Sequence, residues 1–443
     1  MKHYSDSFCV YPWVSLMAQP GGRAAFCCIA QPAQILKSDG SVHDLSKDTL
    51  QEAWNSQFMR DLRRDMLEGK TISACSTCDF QQSIGKLSYR EMHNQEWEDK
   101  LGTEELEWRI DESLLHDYEV IEPPAYLDLR LGNLCNLKCR MCNPYNSTMI
   151  LKEWRELDEE TDGAYSAFWS QYGLNARDIG EWYESDIFWT SVEQFIPDLK
   201  KVYMTGGEPT LIQGNYRFLH TCIDLGYADQ IELFFNLNFT NITDRFINLI
   251  NQFKWTSINA SLDGVGGMNE YIREGSNWDK LAGNFKKLAS SAWGNVGLGV
   301  SPVVQVYNLL DMVDLLEWAE GIWQETDREI LIDFLYNEDT PFLDVKILPE
   351  TIKREAKERM VAYRDRSRLY GRNSDRSRFV KSSVDSFINL MESTMFAENP
   401  EMIGEFLRYT KTLDDKRGQS MGESCGDLTR MLALCGYQVD KGI

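Results

Sequence analysis

The stretch AYLDLRLGNLCNLKCRMCNP, residues 125–144, decides both the fold and the chemistry of this chain. It opens with a short apolar run and continues into a loop with the spacing CxxxCxxC, which holds Cys135, Cys139 and Cys142. Thiolate is the usual protein ligand of a four-iron cube, so three thiolates leave one iron open to a small molecule. A structural zinc site generally has four closed ligands. No histidine falls between residues 117 and 219 to complete such a set.

Five more apolar runs follow the first, and helix-like stretches separate them. The six runs are AYLDLRL (125–131), KKVYMTGG (200–207), QIELFFNLN (230–238), SINASLDG (257–264), GLGVSPVVQVY (297–307) and EILIDFLY (329–336). Strands that alternate with helices predict an α/β fold with a parallel sheet, here a partial or full barrel over residues 125–345. In such folds the reacting groups collect at the carboxyl ends of the strands.

Composition excludes several classes of protein. The chain has 443 residues, 43% of them hydrophobic, and 46 Lys+Arg against 69 Asp+Glu give a net charge of −23. That charge argues against a nucleic-acid partner, because a phosphate backbone would be repelled. No apolar run reaches the roughly 18 residues that a membrane helix needs. The start MKHYSDSFCVYPW lacks a secretory signal, so we expect a cytoplasmic protein without a membrane partner.

The eleven cysteines are concentrated before residue 143. An odd number of thiols without a secretory signal indicates metal ligands rather than a disulfide framework. A second group lies within the first 80 residues and comprises Cys9, Cys27, Cys28, Cys75 and Cys78. Four of these offer a four-thiolate site; adjacent cysteines cannot easily point at one centre together, and we favour Cys28 over Cys27. We expect the remaining cysteines, Cys222, Cys425 and Cys435, to be buried apolar side chains.

Charge and periodicity divide the chain into four parts. Residues 1–90 hold the second cysteine group and a predicted helix over DTLQEAWNSQFMRDLRRDMLEGK (48–70). Residues 91–124 are an acidic linker with one or two solvated helical pieces. Residues 125–345 form the barrel, with 150–195 as an insertion. Residues 346–443 are helical, and their basic part 346–381 is either a solvated helix or a contact surface for an acidic or phosphorylated partner.

The CxxxCxxC loop resembles the cluster motif of the radical S-adenosylmethionine (radical SAM) superfamily, including its position after the first barrel strand. That family usually has an aromatic residue before the last cysteine, where this chain has Met141. The resemblance implies a partial (β/α)6 TIM-like barrel. It also implies a [4Fe–4S] cluster on Cys135, Cys139 and Cys142, with S-adenosylmethionine on the open iron.

Other segments resemble the cofactor contacts of the same family. Alone, MTGGEP (204–209) would be an ordinary turn; after CxxxCxxC, the resemblance implies that Gly206, Gly207 and Glu208 bind the methionyl amino group. SLDG implies that Ser261 and Asp263 contact the ribose, and NEYIREG (269–275) implies that Arg273 pairs with the cofactor carboxylate. The segment LNFTN resembles a further strand-end position through Asn238, Thr240 and Asn241, and Asn308 is a weaker candidate.

The N-terminal stretches FCVYPWVSLMAQPGGRAAFCC (8–28) and ACSTCDF (74–80) resemble the auxiliary-cluster domain called SPASM, or its shorter form, twitch. Family members usually carry this domain after the barrel, whereas here it precedes the barrel. The cysteines for a second auxiliary cluster are missing, which favours twitch. The resemblance implies a second [4Fe–4S] cluster on Cys9, Cys28 (or Cys27), Cys75 and Cys78; a zinc ion held by four cysteines is the alternative.

These resemblances imply an enzyme that cleaves S-adenosylmethionine reductively. The products would be methionine and a 5′-deoxyadenosyl radical, which abstracts hydrogen from a substrate. Modification of a peptide or protein is the first expectation, and dehydrogenation of a small alcohol or sugar is the second. The enzyme would need an external electron donor such as flavodoxin or ferredoxin. A non-catalytic iron–sulfur electron carrier or scaffold is the alternative of another class.

Overall fold

The structure is a computed structural model that describes residues 2, 4–83, 88–291, 294–337, 340–371 and 375–438. Each of the six apolar runs contains a strand, as predicted. The strands are β1 Ser15–Ala18, β2 Ala24–Ala25, β3 Tyr126–Leu129, β4 Lys138–Cys139, β5 Lys201–Met204, β6 Glu232–Leu237, β7 Trp255–Ala260, β8 Arg273–Glu274, β9 Val296–Val300, β10 Val303–Val304, β11 Leu331–Ile332 and β12 Leu335–Tyr336.

Helices occupy most of the chain between and after these strands. They are α1 Tyr11–Val14, α2 Leu50–Trp54, α3 Gln57–Leu67, α4 Ser76–Ser83, α5 Tyr89–Leu101, α6 Thr103–Leu115, α7 Thr148–Glu160, α8 Ala164–Ser170, α9 Asp186–Phe195, α10 Gln213–Asp224, α11 Asp244–Ile250, α12 Gly267–Ile272, α13 Trp278–Ala289, α14 Met312–Thr326, α15 Glu350–Arg366, α16 Arg368–Gly371, α17 Asp375–Ser393, α18 Pro400–Arg417, α19 Met421–Ser424 and α20 Gly426–Leu434. Among the described residues, no helix combines the length and the apolarity that crossing a bilayer requires.

The chain forms two compact units, and the first comprises Met1–Leu134, Ile179–Phe235 and Arg245–Thr256. Its strands are hydrogen-bonded in the order β2-β1-β3-β5-β6. The pairs β1–β3, β3–β5 and β5–β6 are parallel, and the register places Ser15, Tyr126, Lys201 and Glu232 in one row. Strand β1, from the cysteine-rich segment, was not expected in this sheet. Its four residues SLMA are all buried, since strands cover both of its edges.

The second unit comprises Cys135–Asp178, Asn236–Asp244 and Ser257–Ile443. It contains the end of β6, most of β7, and the neighbouring strands β9 and β11, which pair in parallel. The amide of Ser261, just after β7, donates to the carbonyl of Leu237 at the end of β6. In both units the barrel strands follow chain order with helices between them. The α/β class and the strand order of the predicted partial (β/α)6 barrel are confirmed.

The helix predicted for residues 48–70 is two helices, α2 and α3. The break falls at Asn55, whose side chain bonds the backbone of Val120 in both directions, 2.8 Å from its carbonyl oxygen and 3.0 Å from its nitrogen. Ser56 then caps α3 by accepting from the amide of Met59. A side chain that satisfies distant backbone groups and a new N-cap together end the first helix. The four-residue apolar rhythm continues across the break, so periodicity alone could not reveal it.

The acidic segment 91–124 forms most of α5 and all of α6. Each helix buries one face, through Trp97 on α5 and through Leu106 and Ile110 on α6, all of which have no exposed surface. Carboxylates occupy the remaining positions, as expected for a charge run. These helices therefore contribute core residues to the first unit. The domain boundaries drawn from the sequence stay predictions.

The basic segment 346–381, described except for residues 372–374, is largely neutralised. Its ion pairs include Lys357–Glu392, Arg359–Asp427, Arg354–Glu350 and Arg366–Glu317. Lys353 is fully buried and donates to the carbonyls of Lys346 and Thr394, 2.5 and 2.6 Å away. Burial lowers the pKa of Lys353 to about 8. The pairing favours a structural role for this segment over a free basic surface.

Candidate functional site

The CxxxCxxC loop lies in the second unit and is shaped by a short antiparallel ladder. Strand β4 places Cys139 opposite Arg273 of β8. The amide of Cys142 donates to the carbonyl of Cys139 at 3.0 Å, which closes a turn between the two thiols. Cys139 is buried, whereas Cys135 and Cys142 are partly exposed. Burial raises the pKa of Cys142 above its usual range, and the nearby charges of Cys139 and Cys135 raise it further.

Arg273 lies between a buried carboxylate and the loop. Its Nε is 2.7 Å from Oδ2 of Asp263, and its Nη1 donates to Sγ of Cys139 at 3.8 Å. Asp263 has no exposed surface, and Oδ1 of this residue accepts from the amide of Val303 at 2.8 Å. Burial raises the pKa of both the Asp263 carboxyl and the Cys139 thiol, and the Arg273 cation opposes both rises.

These contacts differ from the roles expected of Asp263 and Arg273. The sequence placed both at an open rim, one toward a ribose and one toward a carboxylate. The structure instead pairs them with each other beneath the cysteine loop, while Ser261 is partly exposed. Asn308 is fully buried and donates to the carbonyls of Asp263 and Val303, so it braces this turn. The cofactor contacts of these residues stay predictions.

A closed polar ring ties the loop to the end of β6. Asn136 Nδ2 donates to Oγ1 of Thr240 at 2.9 Å, and Asn238 Nδ2 donates to Oδ1 of Asn136 at 2.8 Å. The hydroxyl of Thr240 donates to Oδ1 of Asn238 at 2.7 Å. The structure thus brings two predicted strand-end residues, Asn238 and Thr240, to the cysteine loop through Asn136. Asn136 had not been singled out, although its place after the first cysteine marks it.

The GGEP segment lies in the first unit against the chain that leads to the loop. A Cβ on Gly207 would lie 2.1 Å from the carbonyl oxygen of Leu134, and one on Gly206, where φ is +122°, would lie 2.8 Å from that of Gly132. Both positions therefore require glycine. Glu208 is 1% exposed, and its Oε1 accepts from the amide and the hydroxyl of Thr210 at 3.1 and 2.6 Å. These bonds order the turn itself.

A buried ion pair at the end of β3 was missed from the sequence. Nε and Nη2 of Arg130 lie 3.1 and 3.0 Å from the two carboxylate oxygens of Asp128, which is 2% exposed. Arg130 lies beside Gly206, whose added Cβ would be 3.7 Å from its Cα. The signal was the alternation of Asp128 and Arg130 with Leu127 and Leu129, which assigns the charged residues to one face of the strand.

The N-terminal cysteines line a cavity in the first unit. Cys9 precedes α1, Cys75 ends the short 3-10 turn Ser73–Cys75, and Cys78 lies on α4. The apolar wall consists of Phe26, Ile29, Ala30, Met66 and Ala74. Burial raises the pKa of Cys9 to about 12 and that of Cys75 to about 11. Metal-free thiols here are protonated at neutral pH, so binding of a metal centre releases protons.

Cys27, rather than the Cys28 favoured from the sequence, lines this cavity. Cys28 is exposed. Its pKa is raised well above the usual range by a hydrogen bond with Cys27, by burial and by the charge of Asp128, while Arg130 opposes the rise. Two adjacent cysteines thus have different surroundings, and we now assign Cys27 to the four-thiolate set.

Two side chains of α5 complete the cavity wall. Arg90 is 4% exposed, donates to Asp79 at 2.7 Å and holds the pKa of the Cys75 thiol below what burial alone would give. His93 stacks on Tyr11, with ring centroids 3.9 Å apart, and its Nδ1 lies 2.9 Å from the Tyr11 hydroxyl. An arginine beside clustered thiolates offsets their negative charge. The sequence offered only a nominal acidic helix here, and no motif marked these residues.

The donor chemistry of both sites fits iron–sulfur clusters. One site has three thiols on one loop with a guanidinium on one of them, and the other has four thiols in an apolar cavity with a buried cation. Thiolate ligation with hydrogen bonds to sulfur is what such clusters require. Within the described parts of the chain, no three His, Cys, Asp or Glu side chains converge on a site for a single metal ion.

Residues 9–79 match the family model of SPASM, an iron–sulfur cluster-binding domain. The match covers the four cysteines of the cavity and confirms the SPASM-type domain predicted before the barrel. Arg90 and His93 lie beyond the matched residues, so the cavity wall extends past the domain. No curated protein matches the chain.

Solved structures with some similarity include SuiB of Streptococcus suis bound to its precursor peptide SuiA, with 16% identity over 66% of this chain and 59% of that chain, at a TM-score of 0.37. SuiB bound to S-adenosylmethionine has 15% identity over 68% and 61%, at 0.37. The enzyme anSMEcpe with bound AdoMet has 14% identity over 55% and 61%, at 0.34. The chain thus spans about three fifths of these proteins. Superpositions at this level do not define a shared fold.

Proposed function

We propose that the protein is a radical SAM enzyme with one auxiliary cluster, and that it modifies a peptide or protein by hydrogen abstraction. The observation that carries the proposal is the loop of Cys135, Cys139 and Cys142, three thiols without a fourth, with Arg273 donating to one of them. The SPASM match over residues 9–79 supports a second cluster in the same chain.

The residues of the chain have distinct roles in this proposal. The three loop thiols would hold a [4Fe–4S] cube, and Arg273 would stabilise its negative charge through Cys139. Asn136, Asn238 and Thr240 orient the loop. When bound, the cube supplies one electron to S-adenosylmethionine on its open iron, and cleavage gives the 5′-deoxyadenosyl radical. Gly206 and Gly207 let the methionyl group approach the backbone without a Cβ in the way.

Cys9, Cys27, Cys75 and Cys78 would hold the auxiliary cluster, with Arg90 offsetting its charge. A cluster of this kind suits a net oxidation, because it can accept the electron left on a substrate radical. The cofactors supply the difficult chemistry, while the protein positions the groups and excludes water. An external donor such as flavodoxin or ferredoxin would supply the first electron. A peptide substrate is favoured because the SPASM resemblance implies it.

The test is anaerobic reconstitution of the purified chain, followed by dithionite and S-adenosylmethionine. We expect about eight iron and eight sulfide per chain and formation of 5′-deoxyadenosine. About four iron with one zinc would assign zinc to the N-terminal site. Absence of 5′-deoxyadenosine in a protein with its clusters confirmed would leave the electron-carrier alternative in place of the enzyme.

The adjacent cysteines provide a matched pair of variants. Cys27→Ser should lose about four iron atoms per chain, whereas Cys28→Ser should retain all of them, since only Cys27 lines the cavity. Iron analysis after gel filtration, together with the absorbance of the clusters, measures this. Loss of iron from Cys28→Ser alone would restore the ligand assignment made from the sequence.

A further inference from the structure

We propose that the last turn of α18 positions the CxxxCxxC loop, and that Asp414 does so through Arg140. This inference rests on the proposed function, because it concerns the cluster that the loop would hold. It gives the C-terminal helical region, which carries none of the cysteine ligands, a part in the chemistry of the second unit.

The first observation is a buried cation inside the loop. Arg140 follows the second loop cysteine directly and has no exposed surface. Its Nη2 donates to Oδ1 of Asp414 at 2.5 Å and to Oε1 of Gln419 at 2.8 Å, and its guanidinium lies 3.7 Å from the ring centroid of Tyr271. A buried guanidinium needs a carboxylate partner, and Asp414 is that partner. Position 140 is therefore fixed by a residue 274 positions later.

The second observation concerns the loop backbone. The hydroxyl of Tyr409, one turn earlier on α18, donates to the carbonyl of Arg140 at 2.6 Å. That carbonyl lies between the second and third loop cysteines in sequence. Tyr409 is 2% exposed. The bond is independent of the Arg140 cation, so α18 contacts both the side chain and the main chain of the same loop residue.

The third observation is a second charge link from the same helix end. Arg417, the last residue of α18, donates to the carboxylate of Glu153 at 2.6 and 3.0 Å. Lys138, which directly precedes the second loop cysteine, donates to the same carboxylate at 3.0 Å. Glu153 is 5% exposed. Both basic residues of the loop are thus connected to the last turn of α18, one directly and one through Glu153.

These contacts position the ligands without touching the cofactor. Outer-shell partners that orient metal ligands typically change metal affinity or activity by about 10–100-fold when they are removed. Asp414 also accepts from Tyr271 Oη at 2.9 Å and from the amide of Met421 at 2.8 Å, so its own rotamer is fixed. We expect its substitution to loosen the loop and to alter the environment of the loop cluster.

The experiment uses the full chain with both clusters reconstituted. Asp414→Asn removes the charge, Tyr409→Phe removes one hydroxyl, and Asp415→Asn is the control, since Asp415 is exposed and pairs with Lys411 on the same helix. We measure iron loss to a ferrous chelator and the electron paramagnetic resonance spectrum of the reduced protein before and after S-adenosylmethionine. The signal of the loop cluster is identified by its absence in Cys139→Ala.

We expect Asp414→Asn and Tyr409→Phe to lose the loop iron about 10–100-fold faster than the wild type and to show an altered response to S-adenosylmethionine. Asp414→Glu should restore much of the response, because it returns the carboxylate. The signal of the auxiliary cluster should be unchanged, which a general loss of stability would not produce. Wild-type behaviour in both variants would overturn the inference alone. A wild-type protein without any response to S-adenosylmethionine would overturn the proposed function and this inference together.

Discussion

Replacing Asp263 by asparagine tests the buried ion pair beneath the cysteine loop. The variant keeps the size of the side chain and removes its charge, which leaves Arg273 buried without its partner. The two groups are 2.7 Å apart, and Asp263 and Arg273 are 0% and 8% exposed. At an effective dielectric constant of about 20, unit charges at that distance attract by about 6 kcal/mol. Removing one partner of a buried pair costs about 3–5 kcal/mol, and we expect a loss in this range.

The assay is urea unfolding followed by circular dichroism, with the wild type and two further variants. Asp244→Asn is the control, because Asp244 and Lys287 are also 2.7 Å apart but are 82% and 54% exposed. A surface pair contributes at most about 1 kcal/mol. The double variant Asp263→Asn/Arg273→Met should recover at least about 1 kcal/mol relative to Asp263→Asn, because no unpaired charge remains.

The reasoning is refuted if Asp263→Asn loses no more stability than Asp244→Asn. That result, combined with weaker binding of S-adenosylmethionine, would instead support the ribose contact inferred from SLDG. A titration of S-adenosylmethionine against Asp263→Asn therefore accompanies the unfolding measurement. The two roles of the same carboxylate are separated by which of the two quantities changes.

Two further predictions concern a glycine and a carboxyl group. Gly207→Ala should lower the free energy of unfolding by about 1–3 kcal/mol, because its Cβ would meet the carbonyl of Leu134, whereas Gly267→Ala, with nothing within 4 Å, should change it little in the same urea titration; equal effects would contradict the close approach. Burial, with the charge of Asp314, raises the pKa of Asp311 from 3.8 to about 6. The ionised carboxylate therefore destabilises the fold above pH 6, so Asp311→Asn should gain up to about 3 kcal/mol at pH 8 and nothing below pH 4. Thermal unfolding across that pH range would show no such trend if the group titrated normally.

The strands of the barrel could be predicted because each is a local apolar run between turn residues. The register of β3, β5 and β6 follows from chain order and parallel pairing. Strand β1 was missed because its four residues also fit an apolar piece of a cysteine-rich domain, and only pairing with β3 reveals it. The break at Asn55 was missed for the same kind of reason, since its cause is a contact with Val120.

The cysteine ligand candidates could be predicted because ligand type and spacing are local properties of the sequence. The choice between Cys27 and Cys28 could not, since it depends on which side chain turns toward the cavity. The pairing of Asp263 with Arg273 was missed because charged residues near a cofactor motif suggest contacts with the cofactor. The link from Arg140 to α18 joins residues far apart in the chain, and no spacing rule applies at that range.

The pairing of β1 with β3 constrains any attempt to express the barrel by itself. A truncation that begins near residue 125 would leave the backbone donors and acceptors along one side of β3 without partners. Open strand edges of this kind recruit other chains and aggregate. Residues 15–18 would have to accompany the barrel in such an excision, although they belong in sequence to the cysteine-rich segment. The cut that a domain match suggests is therefore one that the sheet does not tolerate.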